Sequence, residues 1–444
     1  MKPRPPERDF ALPSTIPAMA RPFDVCIRGG GIAGRTLALL LARERLRVGF
    51  VAQDSAGLET GDGSLAGTGS DVTSDAIEDA SADARTGAAA EVAAVIKTGF
   101  EVGAGADVRA FALNFKSKQL LESIRCWPAA ADAIPVLKMQ VQGDDGGQVV
   151  FDAADCGASA LAWIVDVPVL EAQLAQAMQF QPQIELLELA RPATLTVVCE
   201  GKTSASRAEF GVDFEVNPYA QRAIAARLVC EKPHGQTARQ WFSHEGILGA
   251  LPMGGSIEAL PGGAPMRSGN SVAIVWSVNE ARAQALLQMS PDDFCRALQV
   301  ATHDCFGGFT LTSERAMWPL QLARTDRWVG STGGVSWALA GDAAHTVHPL
   351  SGQGLNLGLA DVAELASLIA KRDYWRSVAD DKLLRRYERS RKAAAAALAS
   401  ATDGLQQLFA KNGGPWAALR NAGMNGFERS GPLKRWVARQ AMGT

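Results

Sequence analysis

The chain has 444 residues, 47% of them hydrophobic and 20% charged, with a formal net charge of -3. That length is enough for two or three domains around a large core, and the near-balanced charge gives no reason to expect nucleic acid or an anionic membrane as the main partner. No apolar run approaches the roughly 18 residues that span a bilayer, and the seven scattered cysteines, with no C-x-x-C, read as reduced thiols in a reducing compartment, by default the cytoplasm.

In chain order, residues 1–21 read as a disordered Pro-rich lead-in without the apolar core of a signal peptide. From Phe23 the pattern becomes regular. FDVCIR is a short apolar run, GGGIAG follows, TLALLLARERL has helical spacing, and RVGFVA is a second apolar run. Together they make one βαβ unit. GGGIAG fits G-x-G-x-x-G at Gly29, Gly31 and Gly34. In that pattern the first glycine permits a tight turn, the second lets the backbone approach a pyrophosphate, and the third allows close helix–strand packing. The strand before it and the helix after it are the context that makes the motif a dinucleotide site. An acid about 20 positions on would bind the adenosine ribose; the second strand ends in VAQD, so Ala52 stands there, with Gln53 and Asp54 as substitutes.

Residues 55–106 change character, with nine acidic residues against Arg85 and Lys97 and Phe100 as the only aromatic. Such a segment buries little and reads as a mobile surface insertion, with a short helix at 88–97. VRAFALNFKSKQLLESIRCW then reads as one helix. Strands are expected at 136–141 and 148–152 around the turn GDDGG, a helix at 169–179 and a buried strand at 195–199. Antiparallel strands follow at 223–231, 238–242 and 271–278, then a helix at 291–305 and a strand at 335–340. Helices at 355–371 and 382–402 precede a helical tail rich in Trp and Arg. The β-rich middle interrupts βα elements near both ends, as in a nucleotide-binding domain assembled from separate segments with an antiparallel sheet inserted.

The strand at 335–340 runs into AGDAAHTVHPLSGQGLNLGLAD, residues 340–361. A metal reading would use His345 and His348, but Asp342 is the one further ligand nearby and the set stays incomplete, so no metal is expected. A nucleophile reading would use Ser351, but LSGQG lacks the G-x-S-x-G elbow. A cradle fits better. Gly341-Asp342 places a carboxylate at the carboxyl end of a strand, where ligands of open α/β sheets bind, and LSGQGLN brings backbone N–H groups close to a ligand before a helix begins. Two cradles far apart in sequence suit one long ligand with a phosphate middle and a polyol arm, as in FAD.

The succession G-D-A-A-H, H-P, G-Q-G-x-N and Asp closely resembles the second FAD motif of the single-component flavin hydroxylases that act on aromatic rings. VRAFALNFKSKQLLESIRCWP, VPVLEAQLAQAM, NPYAQRAIAARLVCEKPHG and TDGLQQLF in the tail resemble the ubiquinone-biosynthesis hydroxylase branch of that family. The family's middle motif, usually Asp-Gly followed by Ser and Arg, is similar to CEGKTSASR, with Glu200 in place of Asp and Gly201, Ser204 and Arg207 in position.

The resemblance implies a para-hydroxybenzoate-hydroxylase-like α/β fold: a Rossmann-type FAD-binding domain (22–133, 153–212 and 331–400), an inserted antiparallel β-sheet substrate domain (134–152 and 213–330) and a helical C-terminal tail (401–444). It assigns FAD to Gly29, Gly31, Gly34, Arg109, Glu200, Gly201, Gly341, Asp342, Gly352, Gly354, Leu355 and Asn356. Pro349, Gly352 and Gln353 would line the flavin ring face; no substrate base is identifiable. NADPH or NADH would visit as co-substrate without a Rossmann domain of its own. In the family's chemistry, nicotinamide reduces the flavin, O2 adds at its C4a, and the hydroperoxide hydroxylates an electron-rich ring. The implied substrate is a small aromatic, a prenylated phenol of ubiquinone biosynthesis. A cytoplasmic protein peripheral to the inner face of the membrane, or a member of a biosynthetic complex, is implied too; Trp416, Trp436, Lys434, Arg435 and Arg439 could lie at such an interface or on a solvated helix. Two alternatives stay open: a reductase or oxidase of the same fold, or a degenerate, non-catalytic paralogue marked by Ala52 and Glu200.

Overall fold

The computed structural model describes residues 22–52, 107–143, 146–254, 257–258, 266–267, 269–346, 353–410 and 414–443. The lead-in, the 55–106 insertion with its expected helix, Gln53, Asp54 and residues 347–352 lie outside the described residues.

FDVCIR forms the strand Phe23–Arg28 at the heart of a six-stranded sheet, pairing in parallel with Val48–Val51 on one side and Ala193–Val198 on the other. The order across the sheet is Val329–Thr332, Val335–Leu339, Ala193–Val198, Phe23–Arg28, Val48–Val51 and Ile184–Leu187, with only the first pair antiparallel. Three distant stretches of chain therefore build one sheet. Its central strands are covered on both faces, which explains their unbroken apolar runs; Val25, Cys26 and Ile27 are fully buried.

A second, larger sheet is built on the long strand Phe214–Cys230, flanked by Ala316–Thr325 and Ser271–Asn279. Beyond Ser271–Asn279 come Gly246–Met253, Thr237–Ser243, Lys138–Gln142 and Gln148–Asp152. All these neighbours are antiparallel except Thr237–Ser243 with Lys138–Gln142. The helices Glu280–Gln288 and Pro291–Ala301 cover one face around Leu286, Phe294 and Leu298. A small sheet of Ala110–Leu113, Ala162–Asp166 and Ala133–Val136 lies where the two meet. Arg227 fastens it to the large sheet by donating to both Asp166 oxygens at 2.6 and 3.1 Å.

Two expectations are corrected here. The stretch read as one helix divides into the strand Ala110–Leu113 and the helix Phe115–Ser123. Asn114 causes the break: its side chain accepts from the Ser117 N–H at 3.0 Å and caps the helix, while Ala110–Leu113 gains strand partners in Ala162–Asp166. The strand read at 136–141 is split at Leu137, with one half in the small sheet and the other in the large one.

Candidate functional site

One cavity of about 990 Å³, at the upper end of the range for ligand pockets, joins the glycine turn to the inner face of the large sheet. At its nucleotide end stands the helix Ile32–Arg43. Gly31 is its N-cap, with no capping side chain and no acid in the first turn, and Gly31, Ile32 and Ala33 face the cavity. Free N–H groups and the helix dipole thus point at the space where an anion would sit. The flanking glycines are sterically obligatory. Gly29 has φ +120°, and a Cβ there would lie 2.3 Å from the Cys199 carbonyl oxygen; one on Gly34 would lie 2.1 Å from that of Gly29. A Cβ on Gly31 would meet no protein atom within 4 Å.

The second motif supplies the opposite wall. Val335–Leu339 ends at Ala340, and a short turn, Gly341–Ala343, sets Asp342 against the cavity. Gly341 has φ +64°, and Gly358 packs against it so closely that a Cβ would come within 3.3 Å of the Gly341 Cα. Gln353, Gly354 and Leu355 open the helix Gly354–Ala370 toward the same space, a second uncapped helix N-terminus. Thr346 also faces it; among the described residues its hydroxyl is buried without a hydrogen-bond partner. Pro349, Gly352, His348 and Ser351 lie outside the described residues.

Behind this wall lies a buried charge cluster. Asp361, fully buried, accepts from the Gly341 N–H at 3.0 Å, from Arg391 Nε at 2.7 Å and pairs with His345 Nε2 at 2.6 Å. His345 stacks on Trp328 with centroids 4.8 Å apart and does not line the cavity. Through Asp361 and Trp328 it ties its own loop to the structure behind the wall. Among the described residues no three His, Cys, Asp or Glu side chains gather as a metal site.

The middle motif divides its work. Gly201, Lys202 and Thr203 face the cavity, whereas the Glu200 carboxylate turns back into its own loop. It accepts from the Ser204 and Ser206 hydroxyls, both at 2.7 Å, and from the Ser206 N–H at 3.1 Å. Arg207 bridges the two loops through the carbonyls of Gly201, Lys202 and Ala343. Burial pushes its pKa down to about 10, although Glu200 and Asp342 pull the other way. Arg109 faces the cavity beside Asp107 and lies 3.6 Å from Glu171. Burial opposes its charge, but Asp107, Glu171 and Asp342 together hold its pKa above the ordinary value.

Asn356 is a latch and is not among the cavity's lining residues. Its Oδ1 accepts from the Asn114 N–H at 2.9 Å and the Ser117 hydroxyl at 2.7 Å, and its Nδ2 donates to the Ala112 carbonyl at 2.8 Å. Asn356→Ala should leave these groups unsatisfied, costing about 2–3 kcal/mol. Denaturant midpoints with and without FAD check this: the loss should appear in both, because the latch is internal to the protein.

The other half of the cavity was not legible in the sequence. Ile247, Gly249 and Leu251 alternate along one strand and Ala273, Val275 and Ser277 along its neighbour, presenting one face of the large sheet. Trp318 and Leu320 extend that wall. A period-2 pattern shows that a strand has two faces, but not which one meets a ligand. No histidine or tyrosine lies among the described residues that line the cavity.

Comparison with known proteins agrees with this geometry. Residues 191–402 match the family model described as an FAD binding domain. The chain is 29% identical to the 3-demethoxyubiquinol 3-hydroxylase of Escherichia coli, over 78% of this chain and 89% of that protein. It is also 29% identical to the ubiquinone hydroxylase UbiL of Rhodospirillum rubrum, over 77% and 81%. Among solved structures, p-nitrophenol 4-monooxygenase PnpA from Pseudomonas putida superposes with a TM-score of 0.65 at 14% identity, covering 94% of this chain and 97% of that one. At that identity the likeness speaks for the fold alone.

Proposed function

We propose that the chain is an FAD-dependent monooxygenase of the aromatic-hydroxylase kind and that it hydroxylates a prenylated phenol of ubiquinone biosynthesis with NADH or NADPH as electron donor. The observation that carries this reading is the single cavity with two unlike ends. One end is built from uncapped helix N-termini and Asp342, the other from an apolar sheet face.

The residues present fit FAD. The N–H groups at Gly31, Ile32 and Ala33 would hold its pyrophosphate, Asp342 would accept hydrogen bonds from its polyol chain, and Arg109 would approach that chain. Gln353, Gly354 and Leu355, with Pro349 and Gly352 from outside the described residues, would border the ring. The middle-motif backbone at Gly201 would serve FAD and the visiting nicotinamide. The chemistry that FAD supplies when bound is reductive activation of O2 and transfer of one oxygen atom to an electron-rich ring. The protein's share is to orient the ring and exclude water, which the apolar walls do. One O2 and one NAD(P)H yield one ring hydroxyl and one water. Among the described residues no helix is long and apolar enough to cross a membrane. A cytoplasmic protein touching the inner membrane face suits a prenylated substrate, and Leu433 and Trp436 are exposed on the last helix. Lys434, however, is turned to Glu428 at 2.7 Å and is not free for lipid.

Turnover under 18O2 with NADH or NADPH and a prenylated phenol tests the reading. One labelled atom in the ring product is expected. NAD(P)H consumption without label would make the protein a reductase or oxidase; no consumption by a flavin-loaded protein would favour the non-catalytic paralogue. FAD at a hundred times its Kd should also raise stability by about 2.7 kcal/mol, measured as a rise in the denaturant midpoint.

A further inference from the structure

We infer that the C-terminal helix, Pro432–Met442, is the outer wall of the cavity's apolar arm and sets the length of chain that a ring substrate can carry, with Ala438 and Met442 as specificity-determining residues. The inference rests on the prenylated-phenol reading and adds to it the part of the protein that measures the chain.

The large sheet carries an apolar row across its strands. Ala273 lies opposite Leu251, Ala238 opposite Met139, and Met139 opposite Phe151, and all five line the cavity. The row carries no charge, and it ends at Phe151 on the edge strand. There the last two helices take over. Phe427 meets the Phe151 ring edge-on at 6.1 Å, Glu428 accepts from the Val150 N–H at 2.9 Å, and Lys434 pairs with Glu428 at 2.7 Å. From this anchor the final helix runs to the dinucleotide side, where Gly443 stands against Asn114 and Lys116. The helix thus straps the edge of the large sheet to the segment that Asn356 latches.

Its inner face is apolar and made largely of small side chains. Val437, Ala438, Ala441 and Met442 line the same cavity as the glycine turn, spaced so that they share one face of a helix. Ala438 and Met442 are 4% and 3% exposed, although the helix also displays Leu433 and Trp436 to solvent. A bare phenol at the flavin end needs none of this surface. An apolar chain on the ring would follow the row from Ala273 to Phe151 and end against Ala438 and Met442.

The test uses the full FAD-loaded chain and two phenols, one bearing a single five-carbon isoprenoid unit and one bearing three. Calorimetry gives the affinity of each, and NAD(P)H turnover gives kcat and KM. Ala438→Phe fills the inner face. Each methylene excluded from apolar surface is worth about fourfold in affinity, so the preference for the long chain should fall at least about tenfold. The change should lie in KM for the long-chain phenol and leave the ratio of the two kcat values unaltered. The flavin spectrum reports whether the variant is folded. Ala441→Trp, on the cavity rim, should act in the same direction and keeps the test decisive if Ala438→Phe does not hold flavin. Equal weakening of both phenols, or unchanged preference in both variants, would overturn the inference, as would a wild-type protein that binds the two phenols equally. Selective binding of the long chain without oxygenation of either phenol would sink the hydroxylase reading and leave the wall standing.

Discussion

Asp361→Ala should destabilise the protein by about 3–5 kcal/mol, because removing one partner of a buried ion pair leaves the Arg391 guanidinium charged and poorly solvated. Arg391, His345 and the Gly341 N–H all bond to this one carboxylate. The Gly341 bond has a functional consequence, since that turn sets Asp342 against the cavity. Flavin affinity should therefore fall along with stability. Chemical denaturation gives the first quantity and flavin titration the second. Asp361→Asn separates them: it keeps an acceptor for the Gly341 N–H but no charge for Arg391, so it should recover more flavin affinity than stability. Equal recovery of both would show that Asp361 is a packing residue without a share in placing the turn.

The second large effect contrasts two glycines three residues apart. Gly34→Ala drives a Cβ to within 2.1 Å of the Gly29 carbonyl oxygen, which is backbone and cannot swing aside. The helix must back away from the turn, at a cost of about 3 kcal/mol, the upper range for overpacking. That is about a hundredfold in any equilibrium that needs the turn intact. Gly31→Ala meets no protein atom within 4 Å, so its stability should stay within about 1 kcal/mol of wild type, the scale of N-cap exchanges. Its methyl group nevertheless stands at the helix N-terminus where a pyrophosphate would approach, so flavin affinity should drop at least about tenfold. Melting curves without flavin and titrations with it distinguish the two. Loss of apo stability in Gly31→Ala would mean that Gly31 serves the fold and not the ligand.

Much of the fold was legible in the sequence because its signals are local. The glycine spacing, the apolar run before it and the helical spacing after it lie in one stretch, and the structure has each where that pattern puts it. The second FAD motif was equally legible as a strand, a turn with an acid and a helix. What failed was set by distant partners. Ala110–Leu113 is a strand because Ala162–Asp166 lies beside it, and nothing in its own residues overrides the helical reading. The resemblance gives Glu200 and Asn356 to the cofactor by position in their motifs; in the structure their side-chain polar atoms bond to Ser204, Ser206, Asn114 and Ser117, a placement that no spacing rule reveals. The apolar arm and its C-terminal wall depend on strand register and on a helix far away in sequence.

The departure at Ala52 bears on affinity. In the Rossmann pattern a carboxylate at the end of the second strand holds the ribose hydroxyls, and here the strand Val48–Val51 is followed by the exposed Ala52. Unless Gln53 or Asp54 takes that place, the pyrophosphate and polyol contacts would carry more of the binding, and FAD should then be exchangeable and depend on its free concentration.

The most direct measurement is the visible absorbance of the purified protein as FAD is added. The account predicts a perturbed flavin spectrum that saturates at one FAD per chain, present at once or regained on addition, and weakened in Gly31→Ala without loss of folding. A folded wild-type protein that leaves the free-flavin spectrum unchanged at every FAD concentration would contradict it.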